Sequence, residues 1–225
     1  MIMDDRKERA AFFIDGSNWY HAAKKSRIST SAIDYRKFAR KLSQQHREVV
    51  QIRYYIGRVS GDLSRSRSQA SFLSLIKKQG VKVILGHLEK KRIRPENNEI
   101  QKDLQALLSD YGHLIKHPVV LSRLKKLTHQ DTYSYTEKRV DVNIAVDLVS
   151  AAMKDEFDIA YLISADGDFI PAVETVRKTG KKVFAAIPAS GYELKKAVNK
   201  FIYLKPEWFS DDIFLKKHES EFFKL

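Results

Sequence analysis

Two short apolar runs that end abruptly in aspartate constrain this chain more than any other feature. Ala10-Ala11-Phe12-Phe13-Ile14 stops at Asp15-Gly16, and Ile159 to Ile163 stops at Ser164-Ala165-Asp166-Gly167-Asp168. A run of about five apolar residues without alternation is the mark of a strand buried on both faces, and Asp-Gly is a turn signal. Each run is followed by helical spacing: His21 and Lys24 after the first, a segment to Lys178 closed by Gly180 after the second. Strands that alternate with helices imply a mainly parallel sheet flanked by helices on both faces, joined by right-handed crossovers.

The remaining segments extend that pattern. Ser17 or Asn18 is expected to cap the first helix. Tyr35, Phe38, Ala39 and Leu42 predict a helix from Tyr35 to Gln45. Val49 to Ile56 reads as a strand stopped by Gly57, residues 60–67 as a polar loop, and Phe72 to Ile76 as part of a helix ending at Gly80. Val81 to Leu88 is the next expected strand. Residues 90–136 are hard to read, with a helix expected around Ile100 to Tyr111 and a strand at Val119 to Leu124. A weak echo of Val83–Lys91 in Val119–Lys126 suggests two similar strands with basic ends. Val140, Ile144, Leu148 and Ala152 then form a helical stripe. A strand at Lys182 to Ile187, a helix at Tyr192 to Asn199 and a strand at Phe201 to Leu204 complete the core, and the tail from Pro206 looks accessory.

Composition excludes several function classes. There is no cysteine, so disulfides, thiolate zinc sites, iron–sulfur clusters and a cysteine nucleophile all fall away. His113 and His117 stand four apart but lack further ligands for zinc. There is no G-x-x-x-x-G-K-[ST] loop, no G-x-G-x-x-G and no G-x-S-x-G elbow, so no nucleotide cofactor or serine-hydrolase chemistry is indicated. No apolar stretch approaches the ~20 residues of a membrane span, and the charged first residues do not resemble a signal peptide. A cytoplasmic protein without a membrane partner is the expectation.

Charge points towards a polyanion. The formal net charge is +13, with 41 Lys and Arg against 28 Asp and Glu. Basic residues cluster at Lys77 to Arg94, at Arg123 to Lys126, and at Arg65 and Arg67. Such an excess favours nucleic acid. The chain is thus basic, with acids placed beside strand ends.

In a parallel sheet, ligands collect outside the carboxyl ends of the strands. Asp15, Asp166 and Asp168 lie at such ends, and Asp141 lies in the first turn of the helix preceding the later strand. Each could serve only as a turn residue, a cap or a dipole partner. Gathered in one cleft they would repel one another unless a cation neutralised them, and hard oxygen ligands suit Mg²⁺ or Mn²⁺. Of Trp19 and Tyr20, one ring could stack a base, with core packing expected for at least one.

Three segments together resemble the motifs of NYN domains, the PIN-like nucleases, most closely the LabA-like branch. They are Phe13-Ile14-Asp15-Gly16-Ser17-Asn18, Lys138-Arg139-Val140-Asp141-Val142 with Ala145-Val146-Asp147-Leu148, and Leu162-Ile163-Ser164-Ala165-Asp166-Gly167-Asp168-Phe169. The resemblance spans about residues 10–204, with a basic insertion around 90–136 and a C-terminal accessory segment at 205–225. It implies a Rossmann-like three-layer sandwich and a metal-dependent ribonuclease. Asp15, Asp141, Asp166 and Asp168 match its acidic metal-holding positions, and Asn18 its asparagine. Lys138, Arg65, Arg67, Lys90, Lys91 and Arg92 are the expected substrate contacts, with RNA favoured over DNA. Arg139 and Ala165 stand where the family usually has glycine, which motivates an alternative: a catalytically inactive nucleic-acid-binding or regulatory module on the same fold.

Overall fold

The computed structural model describes residues 6–59, 63–93, 98–129, 132–209 and 211–215. Its sheet has seven strands: β1 (Arg9–Asp15), β2 (Glu48–Arg58), β3 (Lys82–Ile93), β4 (Thr132–Lys138), β5 (Ile159–Ile163), β6 (Lys182–Ile187) and β7 (Lys200–Tyr203). The order across the sheet is β4-β3-β2-β1-β5-β6-β7, and every pair from β3 to β7 is parallel. Eight helices accompany them among the described residues: α1 (Gly16–Lys25), α2 (Tyr35–Leu42), α3 (Leu63–Lys78), α4 (Glu99–Tyr111), α5 (Pro118–His129), α6 (Val140–Met153), α7 (Ile170–Lys178) and α8 (Tyr192–Ala197). The strand order reverses direction at β1, where the chain moves outward to β2 and β3 and later returns to β5 on the other side. That reversal makes the β1/β5 boundary the switch point where a doubly wound sheet opens a crevice.

The period of two along β1 divides the core into two layers. Ala10, Phe12 and Ile14 face a cluster with Trp19, Tyr35, Phe38, Tyr54 and Tyr161. Ala11 and Phe13 face a second cluster with Tyr55, Ile144, Leu148, Phe157, Leu162 and Val173. With helices on both sides, neither face of β1 reaches water, which is why the run needs no polar alternation.

By contacts the chain divides into two units: Met1–His87 with Lys138–Leu225, and Leu88–Glu137. The second unit contains α4 and α5, which pack on each other. Residues 119–124, expected as a strand, lie inside α5. Pro118 opens that helix, where its missing N–H costs nothing, and Leu121, Leu124 and Thr128 follow at helical spacing. The echo between the 83–91 and 119–126 segments is therefore one of composition, with strand in the first and helix in the second. Thr132–Lys138, within the stretch that is hard to read, forms a strand, and its Thr-Tyr-Ser-Tyr-Thr alternation is the sequence mark of it.

Other boundaries also shift. Residues 63–67 begin α3, so Arg65 and Arg67 are helical, while 60–62 lie outside the described residues. α2 stops at Leu42 because Gln44 and Gln45 turn to φ 58° and 56°. β2 continues through Gly57, which pairs with Gly86. α1 is capped by Asp15, not by Ser17 or Asn18. In the tail, Trp208 and Phe209 pack on the first cluster, and Ile213 is fully buried. Asp34 N donates to Ile213 O at 2.8 Å, and Leu215 N donates to Ala32 O at 2.8 Å; residues 216–225 lie outside the described set.

Candidate active site

Asp15 ends β1 directly across from Ser164, because Ile14 pairs with Ile163 in the parallel register. Its two carboxylate oxygens do different things. Oδ1 accepts from Asn18 N at 3.1 Å and so caps α1, while Oδ2 accepts from Ser164 Oγ at 3.1 Å. Asp15 is only 4% exposed. α1 can start this close to the sheet because residue 16 is glycine. A Cβ there would lie 2.6 Å from Tyr54 Cε1 and 2.6 Å from Tyr55 O, far inside van der Waals contact.

Asn18 ties the same two strand ends together from the helix side. Its Oδ1 accepts from Ala165 N at 3.2 Å, which commits the carbonyl end of the amide and leaves Nδ2 without a partner among the described residues. Asp166 N donates to Ser164 Oγ at 3.2 Å, and Asp168 N donates to Asp166 Oδ1 at 2.9 Å. Ser164, which is fully buried, thus sits between Asp15 and the Asp166–Asp168 turn. Sequence reading gave it no role. The signal was its place as the first polar residue after a fully apolar strand. Beneath the turn, the loop after β6 makes a close approach at Gly191. A Cβ there would stand 3.1 Å from Ala165 O.

Asp141 reaches the same edge of the sheet by a different route. It lies exposed in the first turn of α6, which packs against the 167–169 turn. Val140 abuts Gly86, whose added Cβ would lie 2.5 Å from Val140 Cγ2. Gly86 is two residues beyond the level of Asp15 on the registered strands. The residue before the helix, Arg139, has φ 73°. This is the left-handed region, so the position asks for glycine and holds an arginine under strain. Ala165 has no such requirement, since its φ is not positive.

Asp147 belongs to a different environment. Its Oδ2 accepts from Tyr55 Oη at 2.9 Å and pairs with Arg53 Nη1 at 3.2 Å. Arg53 also reaches Glu156 at 2.9 Å. Burial, reinforced by the Asp147 charge, pushes the Tyr55 phenol far above its usual value, so it stays a neutral donor. An arginine in the middle of the otherwise uncharged run Val49–Ile56 was the sequence signal for this support.

Charges differ sharply between the two edges of the sheet. At the amino edge, Arg9 holds Asp158 at 2.9 Å and Asp155 at 3.0 Å, and Lys181 pairs with Asp155. The Arg9 hydrogen bond keeps the Asp158 carboxyl well below the usual carboxylate range. At the carboxyl edge, Asp166 and Asp168 have no Lys or Arg partner among the described residues, in a chain of charge +13.

The expected substrate contacts scatter. Lys138, at the end of β4, is exposed two residues before Val140. Arg65 and Arg67 are exposed on the first turns of α3, and Arg65 lines a groove with Tyr20, Lys24 and Arg27. Lys77 and Lys78 end α3 just before the start of β3. A crossover between parallel strands brings them to the amino edge, opposite Asp15. Lys90, Lys91 and Arg92 lie on β3, but their side chains are outside the described residues. His113 and His117 are exposed. Trp19 is fully buried, its Nε1 donating to Tyr35 Oη at 3.3 Å, while Tyr20 is 47% exposed.

Among the described residues, no three Asp, Glu or His side chains are gathered closely enough to hold an ion together. Mg²⁺ retains several of its waters and commonly takes one or two carboxylates. The oxygen-only donors at the tips of β1 and β5 fit an ion bound in that way. No described helix is long and apolar enough to cross a membrane.

The family model described as NYN domain matches residues 9–205. No match is found among curated proteins. Among solved structures, a protein of unknown function from Vibrio parahaemolyticus is similar, with 22% identity and a TM-score of 0.55. The match covers 96% of this chain and 100% of that one. At that identity the likeness shows the fold alone.

Proposed function

Since the chain belongs to the NYN domain family, which has the fold of PIN-like nucleases, we propose that it is a metal-dependent nuclease acting on RNA. One observation carries this reading. Hydrogen bonds through Ser164 and Asn18 draw Asp15, Asp166 and Asp168 to one sheet edge, where Asp166 and Asp168 are left without a cation. Carboxylates grouped in this way repel one another and gain from a counter-ion.

Of Asp15, Asp166, Asp168 and Asp141, one or two would hold Mg²⁺ or Mn²⁺ directly and the others through its bound waters. Such an ion, when bound, lowers the pKa of water and offsets charge on a phosphate. The chain's own residues supply positioning. Asn18, with its carbonyl fixed on Ala165, presents an amide donor to a water or a phosphoryl oxygen. Ser164 donates to Asp15 and so keeps that oxygen aimed across the β1/β5 boundary. Asp15 as the cap of α1 also places the positive end of a helix beside the phosphate path. Lys138, Arg65, Arg67, Lys90, Lys91 and Arg92 are the cations proposed to hold the strand.

The test is cleavage of an end-labelled single-stranded RNA in Mn²⁺ against EDTA, alongside thermal melts in the same buffers. Mn²⁺-dependent cleavage that Asp15→Asn and Asp166→Asn abolish, together with a rise in melting temperature on adding Mn²⁺, is the expected result. Retained RNA binding with no cleavage in Mn²⁺ would turn the reading to an inactive binding module on this fold.

A further inference from the structure

Beside the aspartates at the carboxyl ends of β1 and β5, on the α1 and α3 face of the sheet, lies a groove of ≈ 850 Å³ from which the nuclease reading draws only Arg65. Its floor is Tyr54, Ile56 and Phe72. Its rim carries Tyr20, Lys24 and Arg27 from α1 and the turn after it, and Arg65 from α3. It adjoins the site directly, because the Tyr54 ring lies against Gly16, the residue after Asp15. Ile56 is one residue beyond Tyr55, the register partner of Asp15 on β2.

The lining has a distinctive chemistry. Three cations face the groove and no carboxylate lines it among the described residues. Ser29, Ser31, Ser64 and Ser68 add hydroxyls. Tyr20 is nearly half exposed, although Trp19 beside it is wholly buried, so the phenol ring is held at the surface by its place on α1. Lys24 Nζ stands 5.9 Å from the centre of that ring. Gln69 closes the far side, its Oε1 accepting from Val59 N at 2.9 Å and its Nε2 donating to Gly57 O at 2.8 Å.

Arg27 brings its cation to the groove from the turn after α1. It has φ 59°, at the position after α1 where glycine is the unstrained choice. The turn is closed by Ile28 N donating to Ala23 O at 2.8 Å, which needs no particular side chain. Gln44 and Asp155 follow α2 and α6 with the same left-handed φ, so the conformation is a helix ending common in this chain, and the cation at Arg27 is what bears on the groove.

Resting on the nuclease reading, we propose that this groove is a nucleoside subsite of the RNA strand. The base of a nucleotide flanking the scissile phosphate stacks on Tyr20, and Lys24, Arg27 and Arg65 hold the adjoining phosphates. The groove's apolar floor suits a base, its serine hydroxyls suit base edges or a 2′-OH, and its lysine and arginines suit the backbone.

The experiment is binding of a fluorescein-labelled single-stranded RNA decamer, followed by anisotropy in EDTA. Cleavage plays no part in this readout, so a failed nuclease reading leaves it interpretable. Tyr20→Ala is expected to weaken binding about tenfold, with Tyr20→Phe close to the parent. Lys24→Gln combined with Arg65→Gln should make the log–log salt slope shallower by about 1.4, at about 0.7 per phosphate contact. Arg27→Gly should raise the melting temperature yet weaken binding, opposite signs that a structural role would not produce. Lys178→Gln, at the C-terminal turn of α7, should bind as the parent does. Tyr20→Ala binding normally, Lys178→Gln losing as much as the groove variants, or an Arg27→Gly that binds unchanged would overturn the subsite. Displacement of the decamer by micromolar nucleoside monophosphate would show a free-nucleotide site and overturn the assignment to a strand.

Discussion

Asp141 and Asp147 lie on one helix six residues apart, about 120° apart around it and ~9 Å along it. Their substitution should separate chemistry from stability. Asp147 Oδ2 takes Tyr55 Oη at 2.9 Å and Arg53 Nη1 at 3.2 Å, and the Arg53 side chain is only 11% exposed. A hydrogen bond to a charged group contributes about 1.5–3 kcal/mol and a neutral one about 1. Asp147→Asn keeps one acceptor and loses the charge, so about 1–2 kcal/mol is at stake. The Asp147 side chain is itself 34% exposed, so solvent screening brings the loss to the lower end, about 1 kcal/mol. For a chain of this size that is a fall of about 2–4 °C in melting temperature. Asp147→Ala should fall further, since the buried Tyr55 hydroxyl loses its acceptor. Asp141 is exposed in the first turn of α6, so Asp141→Asn should leave the melt within about 0.5 kcal/mol of the parent. Its effect should appear instead as lost Mn²⁺-dependent cleavage. The assay is a melt and a single-turnover cleavage time course on each variant. A dead Asp147→Asn with an unchanged melt, beside a fully active Asp141→Asn, would refute the reasoning and move the ligand role to Asp147.

Arg139→Gly should raise the melting temperature by about 2 °C. It relieves about 1–2 kcal/mol of left-handed strain and gives back about 0.5–1 kcal/mol in unfolded-chain entropy. Arg139→Ala, which keeps φ 73°, should show no such gain in a denaturant or thermal melt. Gly16→Ala should be strongly destabilised or insoluble, because its Cβ meets Tyr55 O, a backbone atom that cannot rotate away. For pH, the Asp158 carboxyl is held low in the folded state by Arg9. Its contribution is fully present above the ordinary carboxylate value and is lost as pH falls below it towards the depressed one. Asp158→Asn should therefore flatten the acid limb of a stability-versus-pH curve below about pH 4, and an unchanged limb would remove the pair from the acid response.

What could be read from sequence alone was whatever depends on local periodicity and short motifs. The strands at 159–163 and 182–187 emerge with the bounds expected, because a run buried on both faces carries its own signature. The three aspartate-bearing segments pointed to the family for a similar reason: each is contiguous. Where two local patterns compete, sequence reading failed. Val119-Val120-Leu121 suits a strand by propensity, yet Pro118 and the packing of α4 on α5 make it helix, since tertiary contacts override preferences below about 1 kcal/mol. β4 went unread although Thr132–Thr136 alternates Tyr with Thr and Ser, because so short and polar a run suits a loop as well as a strand.

The sequence by itself determined the sheet-and-helix alternation, the +13 charge and the identity of the acids. Only the tertiary structure decided which oxygen does what. Asp15 and Ser164 are 149 residues apart and meet because β1 and β5 pair in parallel at the point where the strand order reverses. The same packing assigned Asp147 to Tyr55 and Arg53, turned Trp19 inward and Tyr20 outward, and carried Lys77 and Lys78 to the opposite edge from the acids. Register, crossover direction and burial are properties of pairs of distant segments, and no window of neighbouring residues contains them.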